Sequence, residues 1–116
     1  VKDELLQQVS DSHCGLLPQA QMPAMLAVQQ QRDRRMAERL LAAPEPSMLI
    51  AGAFHARKDV GVPIHLLDLG ATEVPTVLML AQQGSEVTPA IADYVWFTPV
   101  MPTPDYCEQM RKQFGK

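Results

Sequence analysis

A chain of 116 residues, 47% hydrophobic and 20% charged, can bury one core and has room for a single domain at most. Its net charge of −3 comes without a basic block, so a nucleic-acid backbone would find little to hold. No apolar stretch approaches the roughly 20 residues that span a bilayer, and VKDELLQQVS has no apolar secretory centre, so the chain as it stands is expected to be soluble.

Leu5, Leu6 and Val9 stand at helical spacing and predict a short amphipathic helix over Lys2–Val9, then a turn through Ser10, Asp11 and Ser12 to His13-Cys14-Gly15. Met22, Met25, Leu26, Met36 and Leu40 recur in steps of three and four and predict a long amphipathic helix from about Gln19 to Ala43. Pro23 fits its first turn, where a missing N–H costs nothing, and Pro44 and Pro46 end it. Met48-Leu49-Ile50-Ala51 is too short for a helix and apolar on both faces, as expected of a central strand covered on both sides. After a loop from Gly52 to Gly61, Pro63 opens a short helix that carries Ile64, Leu66 and Leu67 and stops at Gly70.

A second strand is expected at about Val74 to Ala81, with Pro75 at its start or on an edge. A third, Tyr94 to Thr98, alternates Tyr94, Trp96 and Thr98 with Val95 and Phe97, which puts aromatics on both faces. The end, Pro99 to Lys116, holds three prolines and then a polar helical segment. The order of elements predicts an α/β or α+β class: a small sheet of about three strands with a long amphipathic helix. A sheet this narrow is expected to be part of a larger α/β domain, completed by a missing N-terminal part or by another chain.

Several residues could carry chemistry. His55 follows the expected central strand in Gly52-Ala53-Phe54-His55 and should project from that strand's carboxyl end, where open α/β sheets place their ligands. A lone histidine in a GxxH tetrapeptide is nevertheless more often an ordinary hydrogen-bonded residue than a ligand. Gln29 and Asp33 interrupt the apolar stripe of the long helix. Asp33 has two readings. The commoner arrangement pairs it with Arg32 or Arg35 at the stripe's solvent edge, whereas the alternative turns it inward to orient an imidazole such as His55. If it faces the sheet and seeks a donor there, Asp33 should lie at the same end of the sheet as His55, whereas Asp33 in open solvent far from His55 would mark the commoner arrangement.

Arg57-Lys58-Asp59 is a mixed-charge cluster of the kind that usually forms a wet loop, although beside an anionic ligand Arg57 would clamp a carboxylate. His65 reads as solvated. Cys14 and Cys107 lack CxxC or CxxCH spacing, which argues against a zinc knuckle or covalent haem attachment and leaves both buried thiols and a disulfide open. No GxSxG, Walker A, HExxH or paired-carboxylate signature is present.

These residues resemble the C-terminal half of the ChaN-like, haem-binding iron-regulated lipoproteins of the Tiki-like superfamily. The matching segments run in order: Ser12-His13-Cys14; Gln29 with Arg32-Asp33 and Met36-Ala37; Ala51 through Pro63; and Ala92 through Pro99. Gly52 to Pro63 is the most specific, because GxxHxRxDxGVP joins a histidine, a charge cluster and two conformational residues at fixed spacing. The resemblance implies an outer-membrane or periplasmic lipoprotein of bacterial iron uptake, with non-covalent haem b held at a homodimer interface. It also implies an N-terminal half of the same protein, carrying the lipid anchor and a first histidine motif that this chain lacks.

On that resemblance, His55 and Tyr94 are the candidate iron ligands, Arg57 the propionate partner and Asp33 the residue that orients His55. An oxidising envelope would also pair Cys14 with Cys107, which bracket the domain. The alternative reading is a metal-dependent hydrolase fragment in which His55 and Asp33 hold a divalent ion. A third is a structural or dimerising half.

Overall fold

The computed structural model describes residues 2–102 and 105–114. The chain divides into two compact units, one built from the first 29 residues and the segment from Met101 onward, the other from Gln30–Val100. No helix among the described residues is long and apolar enough to cross a membrane.

In the first unit, α1 (Lys2–Ser12) buries Leu5 and Val9, and Leu26 is buried on the part of α2 (Met22–Ala42) that belongs here. Helix α1 outlasts the expected Lys2–Val9 by most of a turn because its end is capped by backbone. Gly15 N–H donates to Ser10 C=O at 2.9 Å and Cys14 N–H to Asp11 C=O at 3.0 Å, the paired bonds of a Schellman ending. That ending needs a left-handed residue, and Cys14 takes the position with φ of 57°. A non-glycine there is unfavourable by about 1–2 kcal/mol, yet Cys14 is also fixed covalently, because it is bonded to Cys107 in α5 (Tyr106–Phe114). The expected disulfide is therefore present, with Cα atoms 5.4 Å apart. The helical C-terminal segment is present as well; its Pro104, Gly115 and Lys116 lie outside the described residues.

The second unit carries the rest of α2, α3 (Ala53–Ala56), α4 (Val62–Asp68), β1 (Leu78–Gln82) and β2 (Tyr94–Thr98). Its core is Ala37, Val62 and Leu66, against which Met36, Leu40, Leu49, Leu69 and Ala71 pack. Ala37 of α2, wholly buried, packs with Val62 and Leu66 of α4. Pro63 stands in the first turn of α4, and Gly70, at φ of 85°, ends that helix with the same bond pair seen at Cys14: Ala71 N–H to Leu66 C=O and Gly70 N–H to Leu67 C=O, both 3.0 Å. The fold is mixed α/β with a long helix, as expected.

Two features differ from expectation. The sheet has two strands, β1 and β2, paired in parallel from Leu78 opposite Tyr94 to Gln82 opposite Thr98. Met48–Ala51 is not among them. Leu49 packs on the core, but Met48 and Ile50 are 84% and 89% exposed, so only one side of this segment is covered and no strand pairs with it among the described residues. An apolar run needs a hydrogen-bonded neighbour to become a strand, and periodicity alone does not supply one. Strand β1 also begins at Leu78 rather than Val74. Just before it, Val77 N–H is taken by the Asp93 carboxylate at 2.8 Å, and Val77 C=O accepts from Asp93 and Tyr94.

Candidate functional site

Helix α2 presents Asp33 inward from the second unit's stripe, with none of its surface exposed. Among the described residues neither Arg32 nor Arg35 pairs with it. Arg34 pairs with Asp68 at 2.7 Å and Arg35 reaches Glu38 at 3.9 Å. Instead Asp33 meets His55 of α3, whose Nδ1–H donates to Asp33 Oδ1 at 2.5 Å. The inward reading of Asp33 is the one realised, and His55 is a half-buried ring with 29% of its side chain exposed.

This contact sets the chemistry of the ring. An ionised carboxylate accepts only, so Nδ1 is the donor, and in the neutral ring the lone pair then lies on Nε2. Among the described residues nothing hydrogen-bonds Nε2. Burial pushes the Asp33 carboxyl above the usual carboxylate range; the hydrogen bond from His55 and the charges of His55 and His65 act against that shift. His65, expected in solvent, is half-buried on α4 and close enough to act on Asp33. The second oxygen, Asp33 Oδ2, is buried without a protein partner among the described residues.

The loop that carries His55 is held from two sides. Gly61 N–H donates to Arg57 C=O at 3.0 Å, folding the loop so tightly that a Cβ on Gly61 would stand 2.2 Å from His55 O and 2.9 Å from Phe54 O. Only a residue without a side chain fits. Lys58 then fastens the loop to the start of β2, its N–H donating to Ile91 C=O at 2.9 Å and its ammonium reaching Asp93 at 2.7 Å. The Lys58 ammonium and the Val77 N–H hold the Asp93 carboxyl below the usual range. Asp93 thus ties His55's loop, the entry to β1 and the start of β2 together. Sequence reasoning missed this role, and the only hint was an aspartate just before a strand.

The other site residues lie apart from this pair. Arg57 forks onto Asp59, with Nε to Oδ1 at 2.8 Å and Nη2 to Oδ2 at 2.5 Å, and its guanidinium stands 5.0 Å from the centre of the Phe54 ring. Arg57 already has a carboxylate partner, and it holds the Asp59 carboxyl below the usual range. Tyr94 opens β2 directly after Asp93 and is 64% exposed, on the same sheet face as Leu78, Leu80 and Trp96. A cleft of about 870 Å³ runs between Pro46–Leu49 and Ala71–Leu78 and reaches Ala56, the residue after His55. Among the described residues no three His, Cys, Asp or Glu side chains gather where they could hold a metal ion.

The second unit is thus a small mixed α/β body that presents one carboxylate-held imidazole, with a cleft of mixed polar and apolar lining reaching the next residue, Ala56. The model of the family described as haem-binding uptake, Tiki superfamily, ChaN, matches residues 1–66, more than half of the chain and including both Asp33 and His55. The chain belongs to that family. No curated protein and no solved structure matches it. Tyr94 and the segment from Ala92 to Pro99 lie beyond the matched stretch.

Proposed function

We propose that this chain binds haem b non-covalently in bacterial haem-iron uptake, with His55 as iron ligand and no catalytic step of its own. One observation carries the reading: the Asp33–His55 hydrogen bond occupies Nδ1 and leaves Nε2, a nitrogen that haem iron accepts from histidine. Haem, when bound, supplies an iron centre with axial positions to fill and a flat apolar ring edged by two carboxylates. The residues present fit that group. His55 offers a ring nitrogen on a partly exposed side chain, Asp33 fixes its direction, and the cleft that reaches Ala56 offers apolar side chains such as Leu40, Leu49 and Val62 to a flat ligand among its polar ones.

The fork onto Asp59 uses Nε and Nη2 of Arg57, so in this reading Arg57 serves as propionate partner by sharing its guanidinium with Asp59 or by releasing it. Tyr94 is the second candidate ligand, an exposed phenol beside Trp96 on the sheet face. The remaining parts of the reading are an envelope location, a lipid anchor, a homodimer and an N-terminal half carrying the first histidine motif. The Cys14–Cys107 disulfide supports an oxidising compartment, and the uncovered face of Leu78, Leu80, Tyr94 and Trp96 supports a further subunit or further strands. The hydrolase alternative needs more metal ligands than the described residues bring together.

Haemin titration followed at the Soret band tests the reading. His55→Ala should weaken binding, and if Tyr94 is the ligand instead, Tyr94→Phe should cause the larger loss. Because His55 is the partner of a buried carboxylate, its removal strands Asp33, so the double variant His55→Ala/Asp33→Asn is measured beside it. Haemin binding equal to the parent in all three, with unchanged spectra, would refute this site.

A further inference from the structure

We infer that this chain carries a separate binding site, for a small amphipathic carboxylate, between α2 and the segment Ser47–Leu49. A hollow of about 250 Å³ opens there. Met36, Leu40 and Leu49 line it and pack against the core of Ala37, Val62 and Leu66, so its apolar wall is held in place. Met48, 84% exposed, lines it as well, together with Arg35 and Arg39 of α2. His55, Arg57 and Tyr94 are not in its lining, so the inference stands apart from the haem reading.

The two arginines set the charge of the ligand. Four residues apart on α2, they are neighbours on one side of the helix, and both are exposed. Among the described residues Arg39 has no ion pair or side-chain hydrogen bond, and Arg35 reaches only Glu38, at 3.9 Å, beyond hydrogen-bond distance. Like charges one turn apart repel, and an anion held between them replaces that repulsion with two attractions. Arg39 stands in the last turn of α2, where a cation suits the free carbonyls, but Arg35 lies a turn earlier and gains little from them. A planar guanidinium fork matches the two oxygens of a carboxylate.

The apolar lining sets the rest of the ligand. The hollow is smaller than the roughly 300–1,000 Å³ that drug-sized ligands fill, which suits a body on the order of ten non-hydrogen atoms. Met48 supplies an unbranched, adaptable side chain that an alkyl body would cover.

Octanoate is the probe, labelled with ¹³C at its first carbon, titrated into the parent chain and followed by NMR. The expected result is saturable one-to-one binding, weaker by at least about tenfold in Arg35→Gln/Arg39→Gln, which removes both charges, and in Met48→Glu, which sets a negative charge at the apolar side. Butyrate, which lacks the body, and 1-octanol, which lacks the charge, should each bind less tightly than octanoate. All three altered side chains are exposed, so the variants should keep the parent's circular dichroism. No saturable binding of octanoate to the parent, parent-like binding by the double arginine variant, or 1-octanol binding as tightly as octanoate would overturn the inference.

Discussion

Adding one methyl group at Gly61 should disturb the site through backbone alone. Gly61 has φ of −108°, outside the left-handed region that favours glycine, so its φ alone does not demand one. The Cβ of an alanine, however, would stand 2.2 Å from His55 O, 2.5 Å from His55 C and 2.9 Å from Phe54 O. All three are main-chain atoms and cannot rotate away. Ordinary carbon contacts begin near 3.5 Å, so the loop must open by about 1 Å or more. Overpacking of this kind typically costs about 1–3 kcal/mol. For a unit the size of Gln30–Val100, each kilocalorie corresponds to roughly 4–8 °C of melting temperature. The same displacement moves His55, whose 2.5 Å bond to Asp33 would stretch toward the limit of hydrogen bonding. Gly61→Ala should therefore melt lower by several degrees and bind haemin more weakly than the parent, as read by circular dichroism and Soret titration. A variant that matches the parent in both would show that the close approach at Gly61 does not position His55.

Cys107→Ser removes a cross-link spanning 93 residues of sequence, which chain-entropy reasoning values at roughly 4–5 kcal/mol before any strain; chemical denaturation should show a loss of that order, and parent-like stability would refute it. Alkylation of the unreduced protein followed by mass spectrometry should find no free thiol at Cys14 or Cys107, and two labelled thiols would contradict the disulfide. Asp93 titrates below its ordinary 3.8 in the folded chain, so it stabilises the fold above that value and the contribution fades as pH falls through it. Asp93→Asn should accordingly be less stable than the parent at neutral pH and lose less on acidification below about pH 4, and parallel acid-unfolding curves would count against the Lys58–Asp93 latch.

How much was legible in the sequence follows the range of the forces involved. The long helix and the stop at Gly70 are local matters of periodicity, proline and glycine, and both could be read. Strand β2 matched residue for residue, its run of β-branched and aromatic residues from Tyr94 to Thr98 being a local signal even though Trp96 and Phe97 are both exposed. Asp33 was visible as a polar interruption of an apolar stripe, but its partner was not. An arginine one or two residues away and a histidine 22 positions on are equally compatible with the pattern, and packing chose the histidine. Met48–Ala51 failed for the opposite reason: its composition suits a strand, while strand formation depends on a neighbour that the run itself cannot specify. The Lys58–Asp93 pair, separated by 35 residues, left no local trace at all. Nor did the need for glycine at position 61, which comes from a carbonyl six residues earlier rather than from its own φ.

The central claim is that Asp33 holds His55 so that its Nε2 is the nitrogen given to iron. Resonance Raman spectroscopy of the reduced, haemin-loaded chain addresses it most directly, with one sample prepared from ¹⁵N-labelled histidine. The account predicts an iron–imidazole stretching band that moves on labelling, shifts in Asp33→Asn and is lost in His55→Ala. A spectrum with no histidine-sensitive band, or one that survives in His55→Ala, would contradict it.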